Sequence, residues 1–275
     1  MSAAAAEAPS HPPEIPNFIT LFTEGSHGPI SHFLHTWENT IFAFVVVGMI
    51  GGAIALGARR LNRIPGRGQT AVELLVEGLD QFVCGILGPV EGRRYLPFLG
   101  TLFVFILSMN LAGLIPGLKS PTSSFTMTGA LGLCVFVFVQ ATGIRRLGML
   151  GYLDHLAGQP RDAAGWILAP LMLFLHVVGE IVKPLSLALR LFGNIMGEDT
   201  LLAVFVMLGA LTMAWSRLPL GLPFHLPFVL LAIIFSVVQA LVFTLLSTIY
   251  IYLMLPHEAH GAAPEGSHSA DGARH

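Results

Sequence analysis

Charged residues are scarce in this sequence. Asp, Glu, Lys and Arg make up 11% of its 275 residues, whereas hydrophobic residues make up 54%. An ordinary soluble domain has about 25% charged residues, so the composition excludes a typical soluble fold. A basic surplus is also absent, because the formal net charge is -2. The chain therefore has no broad basic surface for nucleic acid, and we predict no nucleic-acid partner.

Cysteine and the common catalytic motifs are nearly absent as well. The two cysteines, Cys84 and Cys134, lie far apart in sequence and lack the CxxC spacing of metal and redox sites. We interpret both as buried, reduced packing residues. The sequence contains no HExxH zinc motif and no GxGxxG or GxxxxGK[ST] phosphate loop. We therefore expect neither a catalytic site nor a cofactor or metal in this chain.

Long apolar runs dominate the sequence. Residues 39–58 carry no charge and match the ~20 residues that a spanning helix needs. Four arginines follow between positions 59 and 67, and the positive-inside rule assigns that end to the cytoplasm. Further spans are predicted at 95–118 and 125–144, with arginine pairs next to both. This charge pattern predicts an N-terminus outside and a C-terminus in the cytoplasm.

Three other segments depart from this simple pattern. Residues 70–88 alternate apolar and acidic positions at helical period, which predicts an amphipathic helix at the cytoplasmic surface. The segments 163–216 and 224–255 contain apolar stretches that would be ~45–50 Å long as helices, against a hydrocarbon core of ~30 Å. We expect two strongly tilted helices that form a hairpin, rather than helices that are each broken in two.

The prediction for the whole chain is an all-α membrane protein. We expect about five membrane-embedded helices and one interfacial amphipathic helix. The parts would be an extramembrane arm at 1–38, a single membrane domain at 39–256 and a disordered cytoplasmic tail at 257–275.

The ionisable residues of the membrane domain concentrate in one predicted helix. A charge at the bilayer centre costs about 2.5–3.5 kcal/mol in insertion measurements, so such residues usually mark ion paths. Arginine keeps its proton at any working pH, which makes Arg190 a poor choice for packing alone and the leading candidate for the central charge of such a path. The charged residues between positions 163 and 217 are Glu180, Lys183, Arg190, Glu198 and Asp199.

Helical geometry sorts these residues by face. At 100° per residue Asp199 falls on a different side from the others. The next helix has its own polar face, and two such stripes predict the facing walls of a water path. Simple interhelical polar contacts are the alternative for the serines and Tyr250, and a satisfied membrane histidine is the alternative for His176. The first face contains His176, Glu180, Lys183, Ser186, Arg190, Asn194 and Glu198, and the second contains Ser236, Gln239, Ser247 and Tyr250.

The segment 183–194 reads KPLSLALRLFGN and resembles the signature of subunit a of the rotary F-type ATP synthase. The similarity covers most of the chain, apart from its two termini, and Gln239 and Tyr250 fit the family's last helix. Its other matching segments are 65–74, 97–103, 110–116 and the start of the third span at 121–124.

The resemblance implies a stator subunit without a catalytic site of its own. It would lie in the bacterial inner membrane against a ring of c subunits, together with the peripheral stalk subunit b and the other ATP synthase subunits. Two half-channels would lead protons to and from the ring carboxylates. Arg190 would match the family's essential arginine, which attracts a passing carboxylate and blocks a direct leak.

The resemblance also assigns roles to neighbouring residues. Asn194 and Ser186 match positions of the cytoplasmic-side path, and Gln239 matches the polar partner of the arginine. Nine residues after the arginine the family usually has Glu or His, whereas this chain has Asp199 preceded by Glu198. The alignment favours Asp199 for the outer half-channel, and the helical wheel favours Glu198.

Three other functions compete with this interpretation. A secondary transporter would often show internal repeats, and we find no convincing one. An intramembrane protease would need a nucleophile with its base, or a metal motif, inside the spans. A purely structural assembly subunit would tolerate the loss of Arg190.

Overall fold

The computed structural model describes residues 37–58, 66–115, 117–118, 120–158, 163–216 and 226–255. Nearly all of the predicted arm at 1–38 and the whole predicted tail at 257–275 lie outside these residues. The described part is all-α, with one 3-10 turn at Pro121–Ser123 and no strand. Its helices are α1 Glu38–Ala58, α2 Arg67–Leu87, α3 Pro89–Ala112, α4 Phe125–Leu156, α5 Ala163–Ser216 and α6 Leu226–Leu253.

Four of the described helices, α3 to α6, are long and apolar enough to cross a membrane. Helix α1 is apolar as well, but its described side chains cover only Glu38–Gly52. Helix α2 is not among the candidate spans, as its alternating acidic and apolar residues predict. The all-α membrane fold class is therefore confirmed.

The helix boundaries differ from the predicted spans where glycine and proline intervene. Helix α3 begins at Pro89, before the predicted start of this span at Tyr95. Proline is favourable at the first helical position because its φ is already set for a helix. It ends at Ala112. Helix α4 continues past Ile144 and bends at Gly148, whose φ is +70°. Glycine adopts this left-handed conformation without a steric penalty, so the sequence permits a sharp bend there.

Helix α2 folds back along α3. Gly88 ends one helix and precedes the other with a φ of +81°. A Cβ built on Gly92 would lie 2.7 Å from the Cα atom of Cys84, and one built on Gly100 would lie 4.0 Å from Leu79 Cδ1. The second contact joins residues that are farther from Gly88 on both helices than the first contact does. The two helices therefore lie side by side. Only glycine at position 92 allows this approach.

The two cysteines are less buried than predicted. Cys84 is half-buried and Cys134 is exposed on α4, and both are free thiols. Burial, followed by a hydrogen bond to the Asp80 carboxylate (3.4 Å), raises the pKa of the Cys84 thiol. The Cys84 thiol therefore ionises less readily than a free cysteine.

Helix α5 is continuous over 54 residues, through both Pro170 and Pro184. At 1.5 Å per residue it is about 80 Å long, well beyond a hydrocarbon core of ~30 Å. One helix of this length fits a bilayer only if it tilts strongly or extends beyond the core. The tilted hairpin of α5 and α6 remains a prediction.

The core lies where α3 meets α2, α4, α6 and one side of α5. Helix α6 packs chiefly on α3, and α5 packs chiefly on α4. The other side of α5 is consequently left open. The core residues include Val83, Leu99, Ile106, Val139, Leu187, Leu191 and Phe243.

The α4–α5 contact depends on Gly132. A Cβ at this position would lie 2.8 Å from the Pro184 carbonyl oxygen and 3.3 Å from Ala188 Cβ. We expect Gly132→Ala to destabilise the subunit by about 1–3 kcal/mol, the usual cost of overpacking. Thermal unfolding in detergent measures this effect. The matched control is Gly129→Ala on the same helix, where nothing lies within 4 Å. Equal melting temperatures for the two variants would contradict the close contact.

Candidate functional site

Arg190 lies on the open face of α5. It is exposed, as are Ser186, Gly193 and Gly197 on the same face. Within the described residues no hydrogen bond or ion pair reaches the guanidinium. Nothing lies within 4 Å of a Cβ built on either glycine. The face therefore combines one fixed cation with a shallow surface that a neighbouring helix can approach closely.

The most apolar part of α5 is unusually uncovered. In its most apolar 18-residue stretch 11% of the residues are buried within the chain, compared with 33–44% in the other three candidate spans. A helix with a cation on such a surface needs a partner, because lipid alone leaves the charge unsatisfied. The open face of α5 around Arg190 is consequently a candidate contact surface.

A cavity of about 330 Å³ lies between α5 and α6, on the C-terminal side of Arg190 along α5. Asn194 and Gln239 border it, and the Asn194 Nδ2 atom donates to Gln239 Oε1 at 2.7 Å. Glu198 also borders the cavity, whereas Asp199 does not. The resemblance associates Asn194 with the cytoplasmic-side path, but the structure groups it with Glu198. The remaining walls are apolar and include Ile195, Leu201, Phe228, Leu231 and Phe235.

Among the described residues, two direct side-chain contacts join the two predicted polar stripes. One is the Asn194–Gln239 hydrogen bond, and the other is the approach of Lys183 Nζ to within 5.4 Å of the Tyr250 ring centroid. Ser247 instead donates to the Phe243 carbonyl of its own helix at 2.8 Å. The Ser236 hydroxyl is fully buried without a hydrogen-bond partner. Helix α6 turns most of its buried face toward α3 instead.

A second polar cluster lies on the N-terminal side of Arg190 along α5. Lys183 Nζ donates to Glu180 Oε1, and Gln140 Nε2 donates to Glu180 Oε2 at 2.8 Å. The Tyr152 hydroxyl donates to Gln140 Oε1. The adjoining cavity is only about 10 Å³, and its walls include Glu180, Lys183 and Tyr250. That volume is about the minimum for one water molecule.

His176 does not join either cluster. It is exposed on α5, and its Nδ1 atom donates to the Met172 carbonyl at 2.9 Å. This contact is within one turn of the same helix. The geometry thus gives His176 a local partner and leaves its ring at the surface.

The sequence patterns did not predict a role for Gln140 or Tyr152. Gln140 is the one amide side chain within the apolar run 125–144, and that isolation is a signal that could have identified it. Tyr152 has no comparable signal, because it reaches Gln140 only through the bend at Gly148. A nearby ion pair between Glu91 and Arg146 joins the start of α3 to α4.

Comparison with known proteins agrees with these features. The family model for the ATP synthase A chain matches residues 40–252. The protein named ATP synthase subunit a from Protochlamydia amoebophila is 46% identical over 247 residues, which cover 90% of this chain and 91% of that protein. The protein of the same name from Oleidesulfovibrio alaskensis is 39% identical over 184 residues, covering 67% and 73% of the two chains. This chain therefore belongs to the ATP synthase A chain family and is a multi-pass membrane subunit of that complex.

Proposed function

We propose that this subunit is the stator proton channel of the ATP synthase membrane sector. Two half-channels would deliver protons to and from the carboxylates of a c-subunit ring. Arg190 would attract each passing carboxylate and prevent a direct leak. The observation that carries the proposal is the placement of Arg190, exposed on an open face of α5 between two separate polar sites.

The axial spacing of these sites supports two half-channels. Glu180 lies 10 residues before Arg190 and Glu198 lies 8 residues after it. At 1.5 Å per residue the two residues are about 27 Å apart along the helix axis, and a tilted helix crosses less than this depth of the ~30 Å hydrocarbon core. The two sites would therefore lie at different depths in the membrane, with Arg190 between them.

The chemistry of arginine supports the central role of Arg190. A fixed cation favours the ionised form of a nearby carboxyl group, so a ring carboxylate would release its proton on arrival. Guanidinium does not itself lose a proton at working pH, so it would not relay protons between the half-channels. The same side chain would thus attract the carboxylate and stop the leak.

The remaining polar residues would divide between the two paths. Glu198, Asn194 and Gln239 would form the outer half-channel around the cavity of about 330 Å³. Glu180 and Lys183 would line the inner path, with Ser186 between that path and Arg190 and with Tyr250 packed beside Lys183. The alignment keeps Asp199 as the alternative outer acid. His176 would stand at the inner margin.

The proposed orientation has the N-terminus outside and the C-terminus in the cytoplasm of a bacterial inner membrane. The Glu91–Arg146 ion pair supports it, because it joins the start of α3 to the part of α4 just before its bend, and the positive-inside rule assigns both places to the same side. The partners would be the c-subunit ring, the peripheral stalk subunit b and the surrounding lipid. The c-ring would occupy the open face of α5.

Disulfide cross-linking tests this contact in the intact complex. In a background with Cys84 and Cys134 replaced by alanine, Gly193→Cys should cross-link to a cysteine beside the membrane carboxylate of subunit c. A Cβ fits at Gly193 without contact. The control is Val137→Cys, which is 58% exposed but lies on α4. Cross-linking from residue 137 alone would contradict the proposed ring contact.

A further inference from the structure

The Glu180 carboxylate is held by two separate donors. Lys183 binds one oxygen from one turn further along α5, and Gln140 binds the other oxygen from α4. An ionised carboxylate has about four acceptor positions, so two remain for water. The adjoining cavity has room for about one water molecule. At so narrow a place the direction of the carboxylate decides whether it meets that water.

The fold fixes the position of Gln140 through Tyr152. The Tyr152 hydroxyl donates to Gln140 Oε1, which leaves the Gln140 Nε2 group pointing at Glu180. The Tyr152 ring packs on the Gly143 backbone, where an added Cβ would meet two ring carbons at 3.3 Å. The bend at Gly148 turns residues 149–156 back so that the ring reaches this place. The side chains thus form a chain of donors from Tyr152 through Gln140 to Glu180.

We propose that Gln140 and Tyr152 are positioning residues that aim the Glu180 carboxylate at the narrow inner end of the proton path. This inference rests on the proposed channel function. Neither residue needs to carry the proton. Tyr152 sets the amide orientation of Gln140. Gln140 in turn sets the rotamer of Glu180, whose other oxygen is bound by Lys183.

The alternative is that the Tyr152–Gln140 contact only holds α4 together. The two roles differ in how they depend on Glu180. If Tyr152 acts through Glu180, its hydroxyl has no effect on proton flow once that carboxylate is gone. If the contact is merely structural, its loss has the same effect whether residue 180 is Glu or Gln. A double-mutant cycle separates these cases.

The test measures ATP-driven proton pumping in inverted membrane vesicles that contain the whole complex, normalised to the amount of this subunit in the membrane. Tyr152→Phe keeps the ring and removes the hydroxyl, and Gln140→Leu keeps the approximate volume. We expect each to lower the pumping rate about three- to tenfold, the range of one ordinary hydrogen bond. Gln140→Leu should have the larger effect, since Gln140 touches Glu180 directly.

The same substitutions in a Glu180→Gln background should change the rate less than about twofold, because interacting residues are not additive. Gln81→Leu, at an exposed amide on α2, serves as the control and should pump normally. Equal effects in both backgrounds, or normal pumping by both single variants, would overturn the positioning role. Arg190→Ala run in parallel distinguishes the two proposals: if it blocks pumping while Tyr152→Phe and Gln140→Leu do not, only the positioning role fails.

Discussion

Replacing Arg190 with alanine is expected to lower ATP-driven proton pumping by at least ~100-fold while the complex still assembles. Two unit charges 4 Å apart interact by about 4 kcal/mol at an effective dielectric constant of 20, which is roughly three orders of magnitude in an equilibrium constant. Removing the cation therefore removes most of the bias toward an ionised ring carboxylate. Arg190 is exposed on the open face of α5, so its loss should leave the fold intact.

The measurement is dye quenching in inverted vesicles, with the ratio of this subunit to subunit c as the check on assembly. Arg94→Ala is the matched control, because Arg94 is also exposed but lies at the start of α3. Arg190→Lys adds a second comparison. Lysine keeps the charge, but it loses a proton more readily and lacks the planar guanidinium group. It should therefore fail to restore normal pumping. Near-normal pumping by Arg190→Ala would rule out the proposed mechanism.

The leak-barrier role of Arg190 has its own expected result. When the catalytic sector is stripped from the membrane, passive proton flow through the Arg190→Ala variant should persist. The inner and outer polar sites remain in place, and the cation that separates them is gone. A purely structural arginine would instead give either normal coupled pumping or no flow at all.

The sequence determined the membrane architecture through hydrophobic run length. The ~20-residue requirement and the arginine clusters identified the apolar helices, since backbone hydrogen bonds must be satisfied within each span. The boundaries were harder to predict because they depend on single residues. Gly88 separates α2 from α3, and Gly148 bends α4 where the composition still reads as continuous helix.

The site was predictable where one helix decides the geometry. The helical wheel placed Arg190 and Glu198 on one side of α5 and Asp199 elsewhere, and only Glu198 borders the cavity. Contacts between helices were not predictable in this way. The wheel treats helices as isolated rods, so it could not show which residues of α5 and α6 meet, or that α6 packs chiefly on α3.

Glu198→Gln is expected to lower pumping roughly tenfold or more, because a positioned proton-transfer group contributes about 10²–10⁴ in rate. Glutamine has the same shape but carries no exchangeable carboxyl proton. Glu198 borders the cavity that also contains Asn194 and Gln239, so water there has direct access to its carboxyl group. Asp199→Asn is the matched variant one residue away, and it should change the rate less than about twofold, since Asp199 does not border that cavity.

Proton-driven ATP synthesis in the same vesicles provides the second measurement, because an outer half-channel must serve both directions of flow. Glu198→Gln should slow synthesis and pumping to a similar extent, and Glu198→Asp should recover part of both. The reverse ranking, with Asp199→Asn inactive and Glu198→Gln near normal, would transfer the outer role to Asp199 as the alignment favours. Since the two residues lie on different sides of α5, that result would also require the proton path to leave the α5–α6 cavity.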